Sequence, residues 1–405
     1  MGELSALHIG AVGLGSMIFN FIYWNLGFLR MGTTGMTAQA YGKKDTEALV
    51  HTLCRALLVA LMMSGFMLLL QHNLAKLSFH LMNVSEAQNG LIADYFYIRM
   101  LAAPATLTLI ALMGWFFGMQ NALYPLVLTL VINGTNIACS YVLVVYYQWG
   151  IEGVACGTVC AQYAGLICGL CLLHFKYRKL WLHFSKKALF KAQAFLSFLT
   201  INRDIFLRTF CLTVAFAFFY SQSAAEGALI LAVNTILMHF LNWMSFGVDG
   251  FAYAAESMVG KYKGANHLKA CKQSVRISML MGMGLALVYS VTYAIAGPSI
   301  VHIFTEDPLI FDSTMPYLWW MVLLPIAGSP CYIWDGVFVG LTAVKAMRNS
   351  MAIALIIYLA CYYGLRLVWP QTQYLTDCLW ASLICFLAAR GGIMSIYYQK
   401  KGIAI

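Results

Sequence analysis

The stretch FGVDGFAYAAESMVG, residues 246–260, places two carboxylates, Asp249 and Glu256, in a run that is otherwise almost wholly apolar. Seven residues apart on a helix, they share a face and lie about 10 Å apart along the axis. A third acid, Asp335, sits in the apolar segment CYIWDGVFVGL. A charge at bilayer depth is costly, so such residues turn toward a partner or a wet cavity. Burial also favours the neutral form of an acid, which lets a proton be taken up or released near physiological pH. Asp335, Asp249 and Glu256 are therefore candidates for binding a proton or coupling ion. The ionised acid attracts a cationic or polar substrate, and protonation weakens that attraction. Each position also has a structural reading. Glu256, beside GKYKG, can form an ion pair at a helix end. Asp249, between Gly247 and Gly250, can serve a broken helix whose backbone needs a polar partner.

Other polar residues inside apolar runs are Asn133, Asn136, Ser140 and Thr158. Asn133 and Asn136, at i and i+3, can point into one cavity or bond between helices. His239 has no metal-spaced partner and reads as a packed, hydrogen-bonded histidine. The 22 methionines and 14% aromatic residues supply soft lining and core. Arg30, in GFLRMGTTG, reads as a snorkelling or pairing residue. Twelve cysteines are mostly single, and the pair Cys168 and Cys171 lacks a second pair, so neither a disulfide framework nor a metal site is predicted.

These residues need helices in lipid to hold them. With 61% hydrophobic and only 10% charged residues among 405, the composition is that of a polytopic membrane protein. Apolar runs long enough to cross a bilayer occur at roughly 9–31, 50–71, 91–116, 122–146, 151–173, 198–221, 227–250, 274–296, 314–341, 350–369 and 374–399. They are too long and uniform for a transmembrane barrel. The net charge of +10 collects in alternate connections, among them Lys43 and Lys44, Lys261 and Lys263, and Lys400 and Lys401, which reads as a topology signal rather than nucleic-acid affinity. The intervening connections hold Glu86, Glu226, Glu306 and Asp307. Eleven spans with a cytoplasmic C-terminus follow, in a cell inner membrane, with Met1 outside.

The chain repeats itself. IFNFIYWNLGFLRMGTTGMTAQAYGKKD (18–45) resembles LMHFLNWMSFGVDGFAYAAESMVGKYKG (237–264), and AAPATLTLIALMGWFFGMQNA (102–122) resembles LLPIAGSPCYIWDGVFVGLTAV (323–344). The period holds an even number of spans, so the copies run parallel, as two lobes about a central cavity. The expected division is a lobe over 1–175, a linker over 176–197 within the basic, amphipathic stretch 174–197, and a lobe over 198–405. The second copy opens with one helix that the first lacks, which predicts a six-plus-six architecture whose first helix lies upstream of Met1. Two alike halves suit alternating access, no filter-like loop suggests a channel, and no nucleophile with a base suggests an enzyme.

In GAVGLGSMIFNFIYWNLGFLRMGTTGMTAQAYGKKD, NRDIFLRT, DGFAYAAESMVGKYKG and WDGVFVGLTAVKAMRNSM the chain resembles the MATE (multidrug and toxic compound extrusion) family, its DinF-like branch. The resemblance implies export of organic cations or other amphipathic compounds in exchange for H⁺ or Na⁺, with no cofactor beyond that ion. It aligns Asn136, Thr158 and Tyr95 with polar positions of the first lobe. Ser140 falls where relatives carry an acid, and Asp335 aligns with a cavity acid of other branches. Expected partners are a small-molecule substrate and the lipid bilayer, without nucleic acid, for a protein acting as a monomer. A flippase for a lipid-linked precursor is the alternative, disfavoured because Lys and Arg look sparse within the spans.

Overall fold

The computed structural model describes residues 6–82, 84, 86–371 and 374–402. Their main helices are α1 (Ala6–Leu26), α2 (Phe28–Lys43), α3 (Thr46–Leu69), α4 (Gln71–Leu81), α5 (Glu86–Met100), α6 (Ala103–Gly118), α7 (Leu123–Tyr141) and α8 (Gly150–Tyr177). A short α9 (Lys186–Leu189) precedes α10 (Ala192–Ala225), α11 (Ala228–Gly264), α12 (Leu268–Phe304), α13 (Pro308–Thr314), α14 (Leu318–Gly340), α15 (Val344–Val368) and α16 (Leu375–Lys401). Among the described residues, ten helices are long and apolar enough to cross a membrane. The pair Gln88–Met100 and Ala103–Gly118, bent by 51°, makes an eleventh span if counted as one. All eleven runs read from the sequence thus have helical counterparts. The run 91–116 is not straight, because Pro104 in the first turn of α6 leaves no helical continuation through Leu101 and Ala102.

The chain divides into two compact units, Met1–Asn202 and Arg203–Ile405. In the first, α2 packs on α6 and α3, and α7 pairs with α8. Leu49, Leu53, Leu109, Leu112, Trp115 and Leu173 form a buried cluster, and the Trp115 indole donates to the Leu49 carbonyl at 3.0 Å. In the second unit, α14 lies against α11, α12 and α16, and α15 packs on α16.

Both units reuse one contact. Lipid gives helices no hydrophobic reason to associate, so small residues that let backbones approach carry the packing. In the first unit a Cβ on Gly114 would strike the Arg30 backbone, and one on Gly118 would strike Thr37 and the Thr34 carbonyl. In the second, a Cβ on Gly336 would strike the Ala252 carbonyl, and one on Gly340 the Glu256 carbonyl. Aligning the repeats places Gly114 on Gly336, Gly118 on Gly340 and Thr37 on Glu256. The helices even stop alike. Gln120 and Thr342 both take left-handed backbone, at φ 62° and 54°. The following amides, Asn121 and Ala343, bond back to the Phe116 and Phe338 carbonyls at 3.0 and 2.8 Å, a helix-ending pattern that satisfies otherwise orphaned carbonyls.

α11 runs unbroken from Ala228 to Gly264, so the glycines flanking Asp249 do not interrupt it. Gly247 instead admits the Tyr289 ring, which a Cβ there would overlap. Gly336→Val is expected to destabilise the protein by about 1–3 kcal/mol or more, because two backbones must separate. Gly250→Ala, with nothing within 4 Å of its added Cβ, serves as the control and is expected to hold its melting temperature in detergent.

Candidate functional site

Asp335 is carried into the most enclosed part of the second unit by α14, whose best span is 67% buried. Two local features set its neighbours. Pro330 contributes no backbone N–H to the turn before Asp335. Gly391 of α16 lies so close that an added Cβ would sit 3.3 Å from the Pro330 side chain. The residue before Gly391 is Arg390, and its Nη2 donates to Asp335 Oδ2 at 2.7 Å. Arg208 Nη2, from α10, donates to the same oxygen. One carboxylate is thus shared by two guanidiniums from two other helices, all three side chains buried. The Arg390 guanidinium also lies over the rings of Phe386 and Tyr332, at 5.6 and 5.8 Å.

Asp249 joins this group. Half-buried on α11, it is within electrostatic range of Arg208, Tyr332 and Cys331. The cluster therefore holds two acids and two bases, with zero formal charge when all are ionised. Its hydrogen bonding is incomplete: Arg208 Nε, Arg390 Nε and Nη1, and Asp335 Oδ1 are buried without partners. Buried polar groups are seldom left so, and an under-satisfied network is costly to keep for structure alone. Glu256 is buried two turns further along α11, where its backbone meets Gly340.

The arginines correct the reading of the sequence. Lys and Arg looked sparse within the spans, yet Arg208 and Arg390 lie inside α10 and α16 with 7% and 0% exposure. The signal was present as Arg208, Asp335 and Arg390 deep in three apolar runs, each too costly alone in lipid and together a set. A second ion pair was also missed. Asp204, buried, accepts from Arg203 at 3.0 Å and from Arg348 of α15 at 2.8 Å.

In the first unit, Asn136 Nδ2 donates to Thr158 Oγ1 at 3.0 Å, and Thr158 donates in turn to the Val154 carbonyl at 3.0 Å. Ser140 abuts Gly157, whose missing Cβ leaves it room. Asn136, Ser140 and Thr158 thus meet where α7 crosses α8, while Asn133 is exposed. Tyr95 has a different partner, Ser16 of α1, at 2.9 Å between hydroxyls. Arg99 lies over Phe19 at 5.1 Å and Tyr95 at 6.0 Å. His239 stacks on Phe304 at 4.6 Å, a packed role.

Removing one member of a buried ion pair strands its partners, so Asp335→Asn is expected to cost about 3–5 kcal/mol, read as a lower melting temperature in detergent. The uncharged triple variant R208Q/D335N/R390Q is expected to recover part of that loss; additive losses would contradict the shared-carboxylate reading. Thr158→Val, which removes one interhelical bond, is expected to cost only about 0.6 kcal/mol.

Comparison with known proteins agrees with this architecture. The MatE family model matches residues 1–142 and 205–364. The chain is 36% identical over 401 residues to the DNA damage-inducible protein F of Escherichia coli strain K12, covering 98% of this chain and 85% of that protein. It is 22% identical to a probable multidrug resistance protein NorM of Bacillus cereus, over 96% of this chain and 86% of that one. A crystal structure of a MATE protein in its bent conformation superposes with a TM-score of 0.89 at 16% identity, covering 99% of this chain and 88% of that one. A repeated all-helical membrane fold, matched along nearly its whole length by these proteins, places the chain in the MatE family of membrane transporters.

Proposed function

We propose that the chain is an H⁺- or Na⁺-coupled antiporter that exports organic cations, drugs or amphipathic metabolites by alternating access. The observation that carries this reading is the unequal standing of two acids in one cluster. Asp335 is held by two guanidiniums from two helices, whose positive charge faces its carboxylate directly. Asp249 is only half-buried and has electrostatic reach to Arg208. With Asp249 ionised the four groups sum to zero. When it takes a proton or Na⁺, the cluster becomes net positive and repels a cationic substrate. Ion and substrate thus compete for one negative charge, which is what exchange requires. Glu256 remains a further candidate, though its backbone packing at Gly340 suits a structural role. Asn133, Asn136, Ser140, Thr158 and Tyr95 are proposed to meet the polar parts of the cargo. Loop charge supports a cell inner-membrane location with the C-terminus in the cytoplasm, and the chain is taken to act as a monomer.

A lipid-linked precursor flippase draws on one specific observation, the unpartnered donors of Arg208 and Arg390. It is the weaker reading because Asp335 and Asp249 together already offset the charge of both arginines.

The test is ethidium efflux from cells lacking their own exporters. Asp249→Asn is expected to reduce gradient-dependent efflux by about tenfold or more at normal membrane abundance, and Glu256→Gln to leave most of it. Unchanged efflux by Asp249→Asn would remove that acid from the mechanism. No efflux by the parent chain would favour the flippase.

A further inference from the structure

The segment between the two repeats carries more charge than a tether needs. Between residues 174 and 197 the chain has six cations, Lys176, Arg178, Lys179, Lys186, Lys187 and Lys191, and no acid. All six are exposed. Interleaved with them are exposed apolar side chains: Trp181, Leu182, Phe184 and Phe190, with Leu182 at 85% and Phe190 at 64%.

The segment is not loose. His51 of α3 bonds to Ser185, with its Nε2 3.0 Å from the carbonyl and 3.2 Å from the amide. Arg55 donates to the carbonyls of Ala188 at 2.7 Å and Leu189 at 3.1 Å, capping the end of α9. Leu189 is buried, and Leu180 packs on the Trp115 cluster. One side of the segment is therefore fixed to the first unit, with one edge of Trp181 in a cavity lined by Val50, Leu53 and Trp115 and the Phe184 ring 6.0 Å from that of His51, while the cationic side, with Leu182 and Phe190, faces outward.

Its depth follows from α3. With 24 residues that helix is about 36 Å long, some 6 Å more than the apolar layer it crosses. Its first turn, next to Lys43, Lys44 and Asp45, thus lies at the polar boundary. Side chains on a helix tilt toward its N-terminus, so His51 and Arg55 reach back toward that boundary. They hold Ser185–Leu189 in the headgroup layer rather than in bulk water. Lysines beside aromatic and leucine side chains at that depth match an anionic lipid surface, the rings set at the acyl boundary and the ammonium groups on phosphates.

We propose that residues 174–191 form a built docking surface for anionic phospholipids, with Lys186, Lys187 and Lys191 on the headgroups and Trp181 at the acyl boundary. The segment is then held between the lipid and α3, which makes the joint between the two repeats sensitive to the lipid composition of that leaflet.

The test uses the full chain in nanodiscs of phosphatidylcholine containing an equal fraction of either brominated phosphatidylglycerol or brominated phosphatidylcholine, with the bromines near the headgroup. Trp181 fluorescence is taken as the difference between the parent and Trp181→Phe. It is expected to be quenched at least about twofold more by the phosphatidylglycerol, and K186Q/K187Q/K191Q is expected to equalise the two lipids. Equal quenching in the parent would leave only an apolar anchor and overturn the proposal. So would a preference that survives loss of the three lysines, or no quenching, as for a segment facing water and a soluble acidic partner. Should Trp181→Phe not be recovered, native mass spectrometry of the parent and the triple-lysine variant decides the same point by the ratio of retained phosphatidylglycerol to phosphatidylcholine.

Discussion

A single carboxylate oxygen shared by two arginines organises the second unit. Asp335, Arg208 and Arg390 come from α14, α10 and α16, so one buried charge set ties three helices, two of which, α14 and α16, are also joined by the Trp334–Ser395 and Trp320–Asp377 hydrogen bonds. In lipid a lone guanidinium or carboxylate is expensive, and the three are tolerable only together. That requirement fixes the rest: Pro330 and Gly391 bring α14 and α16 within reach, and Gly336 and Gly340 bring α11, with Asp249, alongside. The second acid, half-buried on α11, thereby comes within electrostatic range of Arg208.

The repeats show one mould used for two chemistries. The glycine contacts between α2 and α6 recur between α11 and α14, down to the left-handed residue that stops the second helix of each pair. What differs is the side chains on that frame. Aligned with Arg30 and Thr37 in the first unit are Asp249 and Glu256 in the second. The first unit's uncharged polar residues meet instead at the α7–α8 crossing, where Asn136 and Thr158 bond and Ser140 fits against Gly157. Packing is conserved between the halves because backbone approach allows few alternatives, whereas charge is free to vary once a partner is supplied.

Most of the scaffold was legible in the sequence, and the pairing at its centre was not. Long apolar runs and a repeated pattern need only local reading, so the spans, the duplication and the polar α7 face could be found from residue order. The bend at Leu101 and Ala102 was signalled by Pro104 but hidden by the continuous hydrophobicity around it. Asp335 stood out as a lone acid. Its partners did not, because Arg208 and Arg390 lie 127 and 55 residues away and each alone reads as an isolated anomaly. Which acid could exchange its proton depends on that partnership: depth within its span singles out Asp335 from sequence alone, and the two arginines that hold it move the choice to Asp249.

The account turns on Asp335 being held as an anion while Asp249 exchanges its proton. Infrared difference spectra of the purified protein, recorded as the pH is lowered, report the carbonyl band of each newly protonated carboxyl group. A band that disappears in Asp249→Asn and persists in Asp335→Asn is the predicted result. A band lost in Asp335→Asn and kept in Asp249→Asn would mean that the arginine-held acid is the one that titrates, and would contradict the account.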